Sequence, residues 1–423
     1  MKALLVNLYR WHPNPPFFYG WVVLAAAAMG AFIATSVAQT VLGGIQDLIV
    51  QDMNWDRKTI ALAATLGTWG SGLTMPFIGK LVDRFGPRWL MLFACFVVGL
   101  GSIYLAGTST VWQFFLTYIL IRAIAGPNLQ NLIPRTVAVN FFTKRRNLAM
   151  GITALNRIAG ESVNIQIITA LSTTFSWRTA YRFLGYASLP LSIPIFLLIR
   201  HRPENVNQFP DSKFNSKIDD DYSNPVSNTE KTWSVREILS LPSFWLILTG
   251  EFVAVTSTSM VIFQTVPYLV DNGTSYATAA TALTLGNILG GVSVPLWGWL
   301  TDRFTAKKIA SIIMLAAILP TTLLAISNPQ DFGFTLVVTW TTATGVVFVL
   351  GSMMLGTVFS RQSFGTVTGL TGPSRTAAMG LGPTLGAFII GWFNSYQPIF
   401  LIAIVGYILV VVLYYCVKTE TYQ

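Results

Sequence analysis

Five charged side chains lie deep within otherwise apolar stretches of this chain: Arg122, Arg157, Glu161, Glu251 and Arg375. An ionised group near the centre of a bilayer costs at least ~3 kcal/mol, so each is a candidate for function. Two of the arginines are related by an internal repeat. Gly151-Ile-Thr-Ala-Leu-Asn-Arg157 aligns with Gly369-Leu-Thr-Gly-Pro-Ser-Arg375. Each arginine falls about ten residues, or roughly 15 Å, into its apolar stretch, which is midplane depth for a crossing helix. A guanidinium holds its charge and grips carboxylate or phosphate through two parallel hydrogen bonds, so a matched pair facing a central cavity would clamp an anion.

A competing reading pairs the same residues internally. Arg157 and Glu161 are four apart on one helix face, and Arg375 can meet Glu251 from a similar depth. The two readings coexist if a substrate displaces each carboxylate from its arginine, which would couple binding to closure. Glu161 and Glu251 are then also candidates to carry protons. Arg122 either joins this polar centre or packs against backbone carbonyls, while Arg135, nearer a helix end, is expected to snorkel to the interface. A second repeat pair, Gln39-Thr-Val and Gln264-Thr-Val, places amides toward the ends of the first and seventh apolar stretches. Substrate contact, packing and gating are all open to Gln39 and Gln264.

The elements that must position these groups follow from composition. Of 423 residues, 53% are hydrophobic and 10% charged, a balance foreign to a water-soluble protein of this size. A bilayer core needs about 20 helical residues to cross. Apolar stretches near 19–43, 59–78, 89–107, 112–140, 147–172, 179–199, 243–268, 277–298, 309–327, 333–358, 366–392 and 398–417 predict twelve crossing helices, an all-α membrane protein of two pseudosymmetric six-helix bundles. Expected boundaries are a tail at 1–18, one bundle at 19–199, a linker at 200–242, a second bundle at 243–417 and a tail at 418–423. The linker is rich in polar residues and ends in Ser234-Val-Arg-Glu-Ile-Leu-Ser-Leu241, whose spacing predicts a short interfacial helix.

Of the 27 Lys and Arg, Arg57, Lys58, Arg178 and Arg182 fall in loops of one face, Arg122, Arg135, Arg157 and Arg375 fall inside stretches, and the rest fall on the other face. That asymmetry places both termini in the cytoplasm of a cell membrane, the inner one in a Gram-negative bacterium. The formal charge of +10 is thus a matter of orientation, with no basic stripe of the kind that grips nucleic acid. Two cysteines in apolar sequence and two histidines, His12 and His201, leave no material for a metal centre or catalytic triad, and no Walker-type loop is present. The sequence calls for no cofactor and no enzyme activity.

One turn is duplicated. Gly79-Lys-Leu-Val-Asp83-Arg84-Phe-Gly86-Pro-Arg88 recurs as Gly298-Trp-Leu-Thr-Asp302-Arg303-Phe-Thr-Ala-Lys307. The chain here resembles the major facilitator superfamily, whose hallmark is that turn, with a weaker copy in the second half. Arg122-Ala-Ile-Ala-Gly126 matches a further superfamily feature of the fourth helix. Phe18-Tyr-Gly-Trp21, Asn140-Phe-Phe-Thr-Lys-Arg145-Arg146 and Ser176-Trp177-Arg178 are similar to the oxalate/formate and monocarboxylate transporter branch. The fifth stretch lacks the Gly-Pro motif of proton-coupled drug antiporters, and the eighth lacks the arginine with which the monocarboxylate branch binds carboxylate.

The resemblance implies secondary transport by alternating access, with gating roles for the duplicated turn. Combined with the arginine pair, it leads to the expectation of a monomer that carries a small organic anion, a carboxylate first, by exchange or with protons. Two other outcomes stay open: efflux of amphipathic metabolites or drugs, and a sensor or scaffold that keeps the fold without transport.

Overall fold

The computed structural model describes residues 13, 15–142, 146–200, 203–206, 208, 233–326, 329–359 and 364–417. Among them every regular element is helical. Helices α1 (Gly20–Thr35) and α2 (Gln39–Met53) form the first rod, followed by α3 (Arg57–Phe85) and α4 (Pro87–Leu105). The fourth rod is α5 (Val111–Ala125), a π-helical turn (Gly126–Asn131) and α6 (Leu132–Phe141). Then come α7 (Arg146–Thr174), α8 (Trp177–Leu198), the short α9 (Val235–Ser240), α10 (Pro242–Asp271), α11 (Tyr276–Arg303) and α12 (Ala306–Ile326). The tenth rod is α13 (Pro329–Thr344) with α14 (Val347–Val358), and α15 (Phe364–Phe393) and α16 (Gln397–Cys416) end the fold. Joined across their short breaks, these pieces give the twelve rods expected. Nine stretches among the described residues are long and apolar enough to cross a membrane by length and composition. The rods outside that set, α3, α5–α6 and α7, include those bearing Arg122, Arg135, Arg157 and Glu161.

The breaks have local causes. At the α1–α2 break the Thr35 hydroxyl donates to the Phe32 carbonyl (2.9 Å) and Ser36 to Ile33 (2.7 Å), side-chain bonds that compete with the helical ladder. In the tenth rod Gly345 packs on Gly290 of α11, where an added Cβ would lie 2.8 Å from the Gly290 Cα. Helix α9, expected from its apolar spacing, starts at a capping box in which Ser234 and Glu237 make reciprocal side-chain-to-backbone bonds.

The described chain forms two compact units that cut across the repeat. Unit 1 comprises residues 1–38, 70–164 and 175–228, and unit 2 comprises 39–69, 165–174 and 229–423. Unit 2 therefore includes α2 and the first part of α3 alongside the whole second half. Both expose rows of large apolar side chains, such as Phe93, Leu100 and Leu116 in unit 1 and Leu401, Val405 and Val412 in unit 2. Lipid satisfies such surfaces, and helices satisfy their own backbone within it.

Candidate functional site

In unit 1 the Arg157 Nη1 donates to Glu161 Oε1 at 2.8 Å, one helical turn along α7. The Gln130 amide, carried on the π-helical turn, donates to the same oxygen at 3.4 Å. A π-turn adds a residue and rotates the helix beyond it, and here it aims Gln130 at the ion pair. Glu161 is buried while Arg157 is partly open. Below them Asn164 ties α7 to the end of α1 through Phe32 O (2.7 Å) and Thr35 Oγ1 (2.9 Å). Gly160 permits that approach, since a Cβ there would lie 2.7 Å from Thr35 Oγ1.

Arg122 is buried in α5, and its Nε and Nη1 meet no hydrogen-bond partner among the described residues. The glycine four residues on has a packing role. A Cβ on Gly126 would overlap the Ser71 hydroxyl, so only glycine lets α3 and this rod touch.

In unit 2 the repeat mate Arg375 faces Glu251 of α10, with Nε and Oε1 3.8 Å apart, and donates through Nη2 to the Phe348 carbonyl. Glu251 is 4% exposed and lies against Gly351, where any Cβ would overlap its carboxylate. Both repeat arginines thus have a carboxylate partner. The first sits on its own helix and the second on a neighbour.

Gln39 and Gln264 are both buried within unit 2. Gln39 donates to Ser259 Oγ (2.8 Å) and accepts from Thr68 (3.1 Å), and Ser259 in turn donates to Met379 O (2.6 Å). Gln264 accepts from Gln46 at 3.2 Å. Thr65 donates to Gly380 O at 2.5 Å. These bonds sew α2 and the start of α3 to α10 and α15.

The end of unit 2 beside them carries a charged cluster that sequence reasoning missed. Arg57 Nε meets Asp47 Oδ1 at 2.6 Å, and its Nη1 and Nη2 grip Asp271 as a fork at 2.8 and 2.9 Å. Tyr396 accepts from Arg57 (2.9 Å) and donates to Asp271 (2.6 Å). Burial, together with the bond to Asp271, holds the Tyr396 phenol well above its usual range, so it stays a neutral donor. A faint signal existed. Asp47 and Asp271 each follow a repeated Gln-Thr-Val by about two helical turns.

Comparison with known proteins names the family. The Major Facilitator Superfamily profile matches residues 24–374 and, a second time, 248–422. The chain belongs to that superfamily. It is 25% identical over 337 residues to the oxalate:formate antiporter of Oxalobacter formigenes, covering 76% of this chain and 74% of that one. It is 23% identical to monocarboxylate transporter 12 of Rattus norvegicus, over 91% of this chain and 82% of the relative. In fold it is similar to a bacterial homolog of the human lysosomal transporter Spinster, with a TM-score of 0.74 at 15% identity over 96% and 98% of the two chains. This superfamily member is a multi-pass membrane transporter and not an enzyme.

The superfamily's duplicated turn is partly described. Gly86 has φ +77°, a left-handed conformation that glycine takes without strain, and it starts α4 sharply after α3. Arg88 is buried, with Nε donating to the Phe196 carbonyl and its guanidinium 4.1 Å from the Phe196 ring, which fastens the start of α4 to the end of α8. Arg84 is exposed over Phe85, and Gly79 lies within α3. Gly298, Asp302 and Arg303 fall in the last turns of α11. The side chains of Asp83, Asp302 and Arg303, and the histidines His12 and His201, lie outside the described residues.

Proposed function

We propose that this superfamily member carries a small organic anion, with a carboxylate as its preferred cargo, and that Arg157 and Arg375 receive it in exchange for Glu161 and Glu251. The observation that carries the reading is a pair of repeat-mate arginines, each beside one carboxylate. A guanidinium already held by a carboxylate accepts another by partner exchange, at less cost than uncovering a bare charge. The oxalate:formate antiporter and the monocarboxylate transporter among its relatives support the same class of cargo. Buried Arg122, with two unsatisfied nitrogens, supplies further positive potential in unit 1.

Alternating access then moves the repeated halves, residues 19–199 and 243–417, against each other in a cell membrane, with both termini cytoplasmic and one chain sufficient. Gln39 and Gln264 act in closure, together with the Arg57 cluster, and the duplicated turns act at the opposite gate. The drive is a second anion or protons.

Purified protein in liposomes tests all of this. Uptake of labelled oxalate, formate and larger monocarboxylates is measured against an internal anion or a pH gradient, which separates exchange from proton coupling. Arg157→Ala and Arg375→Ala variants that remain monodisperse should each lower uptake at least about a hundredfold, the scale expected for loss of a buried charge-assisted pair. Normal uptake by either variant would exclude the exchange of partners.

A further inference from the structure

Arg135 breaks the pattern set by Arg57, Arg157 and Arg375. It belongs to α6, directly after the π-helical turn, and its side chain is exposed, not wrapped by protein carboxylates. No hydrogen bond or ion pair joins it to any described residue, whereas Arg57, Arg157 and Arg375 each hold a carboxylate. Among the described residues the charge that acts on it is that of Arg157, of the same sign. Two like charges repel, and a cation with no protein partner is attended by water or by an anion.

The surroundings supply room for such an attendant. Arg135 lines a cleft of about 320 Å³ with Met75, Asn131, Leu132, Thr136 and Asn140. That volume takes a small carboxylate with several waters. Asn131, at the end of the π-turn, and Arg135 are four apart, as are Thr136 and Asn140 of α6, so the lining brings a cation, two amides and a hydroxyl to one space, with the Asn131 amide also donating to Gly126 O (3.3 Å) and the Thr136 hydroxyl to Leu132 O (2.9 Å). The π-turn ends at Asn131 and sets this register. The whole cleft lies within unit 1, between α3 and the rod of the π-turn and α6.

We infer that Arg135, with Asn131, Thr136 and Asn140, forms an anion-binding vestibule that takes up a small carboxylate before Arg157 receives it. The step from vestibule to Arg157 rests on the proposed anion cargo, while the anion site itself does not. Two like-charged arginines within electrostatic range form a graded path: an anion between them relieves their repulsion, and the Glu161 pairing makes Arg157 the partner gained only by exchange. This departs from the expected snorkelling of Arg135 to the interface.

The test reads the site and the path separately. In full-length protein carrying Cys95→Ala and Cys416→Ser, a Thr136→Cys thiol is modified with an anionic and a cationic methanethiosulfonate of similar size. The expected result is faster reaction with the anionic reagent, slowing on addition of formate or oxalate, and loss of both effects on Arg135→Gln. Equal rates for the two reagents, or a preference that survives Arg135→Gln, would overturn the vestibule. In liposomes Arg135→Gln should raise KM for the carboxylate about tenfold with little change in maximal rate, and Arg135→Lys should recover most of it. An unchanged KM, in protein whose wild type transports carboxylate, would overturn the path. If the wild type moves no carboxylate but the thiol preference holds, the anion site stands and the proposed cargo falls.

Discussion

Arg57 and Arg135 are the same residue type in two opposite situations. Arg57 spends every arm of its guanidinium on Asp47, Asp271 and Tyr396, tying segments of unit 2 that are far apart in sequence. Arg135 has space in front of it, and among the described residues the charge that acts on it is a like one, Arg157. A fully partnered guanidinium fixes geometry, and an unpartnered one recruits a ligand. The difference teaches where to look for closure and where to look for cargo, and substitutions at the two regions should differ in kind.

The largest effect is expected at the partnered site. Arg57→Ala leaves Asp47 and Asp271 without their cation, and because Arg57 and Asp271 are partly open to solvent while Asp47 is buried the loss should be about 2 kcal/mol, below the cost for a fully buried pair. A Gln46→Cys thiol, buried in the wild type, should then be labelled about thirtyfold faster, a factor matching that energy. Unchanged labelling would mean the cluster is ornamental.

Next is Gly160→Ala, which should destabilise by about 1–2 kcal/mol, since the new methyl meets Thr35 and the Phe32 backbone, and a thermal melt in detergent should show it. Tyr396→Phe removes one donor to Asp271 while Arg57 stays, so labelling of the same Gln46→Cys thiol should rise only about threefold to fivefold. With the phenol held neutral, that labelling should show no break across the neutral and mildly alkaline range once thiol ionisation is corrected for. A break would show that Tyr396 titrates in the cluster.

The smallest effect on stability belongs to Arg135. Arg135→Gln removes an unpaired charge and breaks no described bond, so the melting temperature should stay level or rise slightly while KM changes. A fall comparable to that of Arg57→Ala would erase the contrast between the two regions.

Much of the fold was legible because hydropathy and helix length are local properties. Runs such as 398–417 met α16 (Gln397–Cys416) within a residue, and the short helix at 235–240 was marked by its own apolar spacing. The breaks at Ser36 and at Gly126–Asn131 were not legible, because hydroxyl back-bonding and a π-turn leave no period in an apolar run. The Arg157–Glu161 pair was readable from its spacing of four, whereas the bonds of Gln39 and Gln264 needed their partners Ser259 and Gln46, each in the other half of the chain.

The sequence by itself determined that this is a twelve-rod membrane protein with a duplicated turn and matched arginines, since burial in lipid writes itself into composition and a repeat writes itself into register. Only the tertiary structure decided which charges are satisfied. Arg57 meets Asp271 across 214 residues of chain, and Arg135 meets no carboxylate among the described residues. Coulomb energy depends on distance in space, and separation along the chain does not set it.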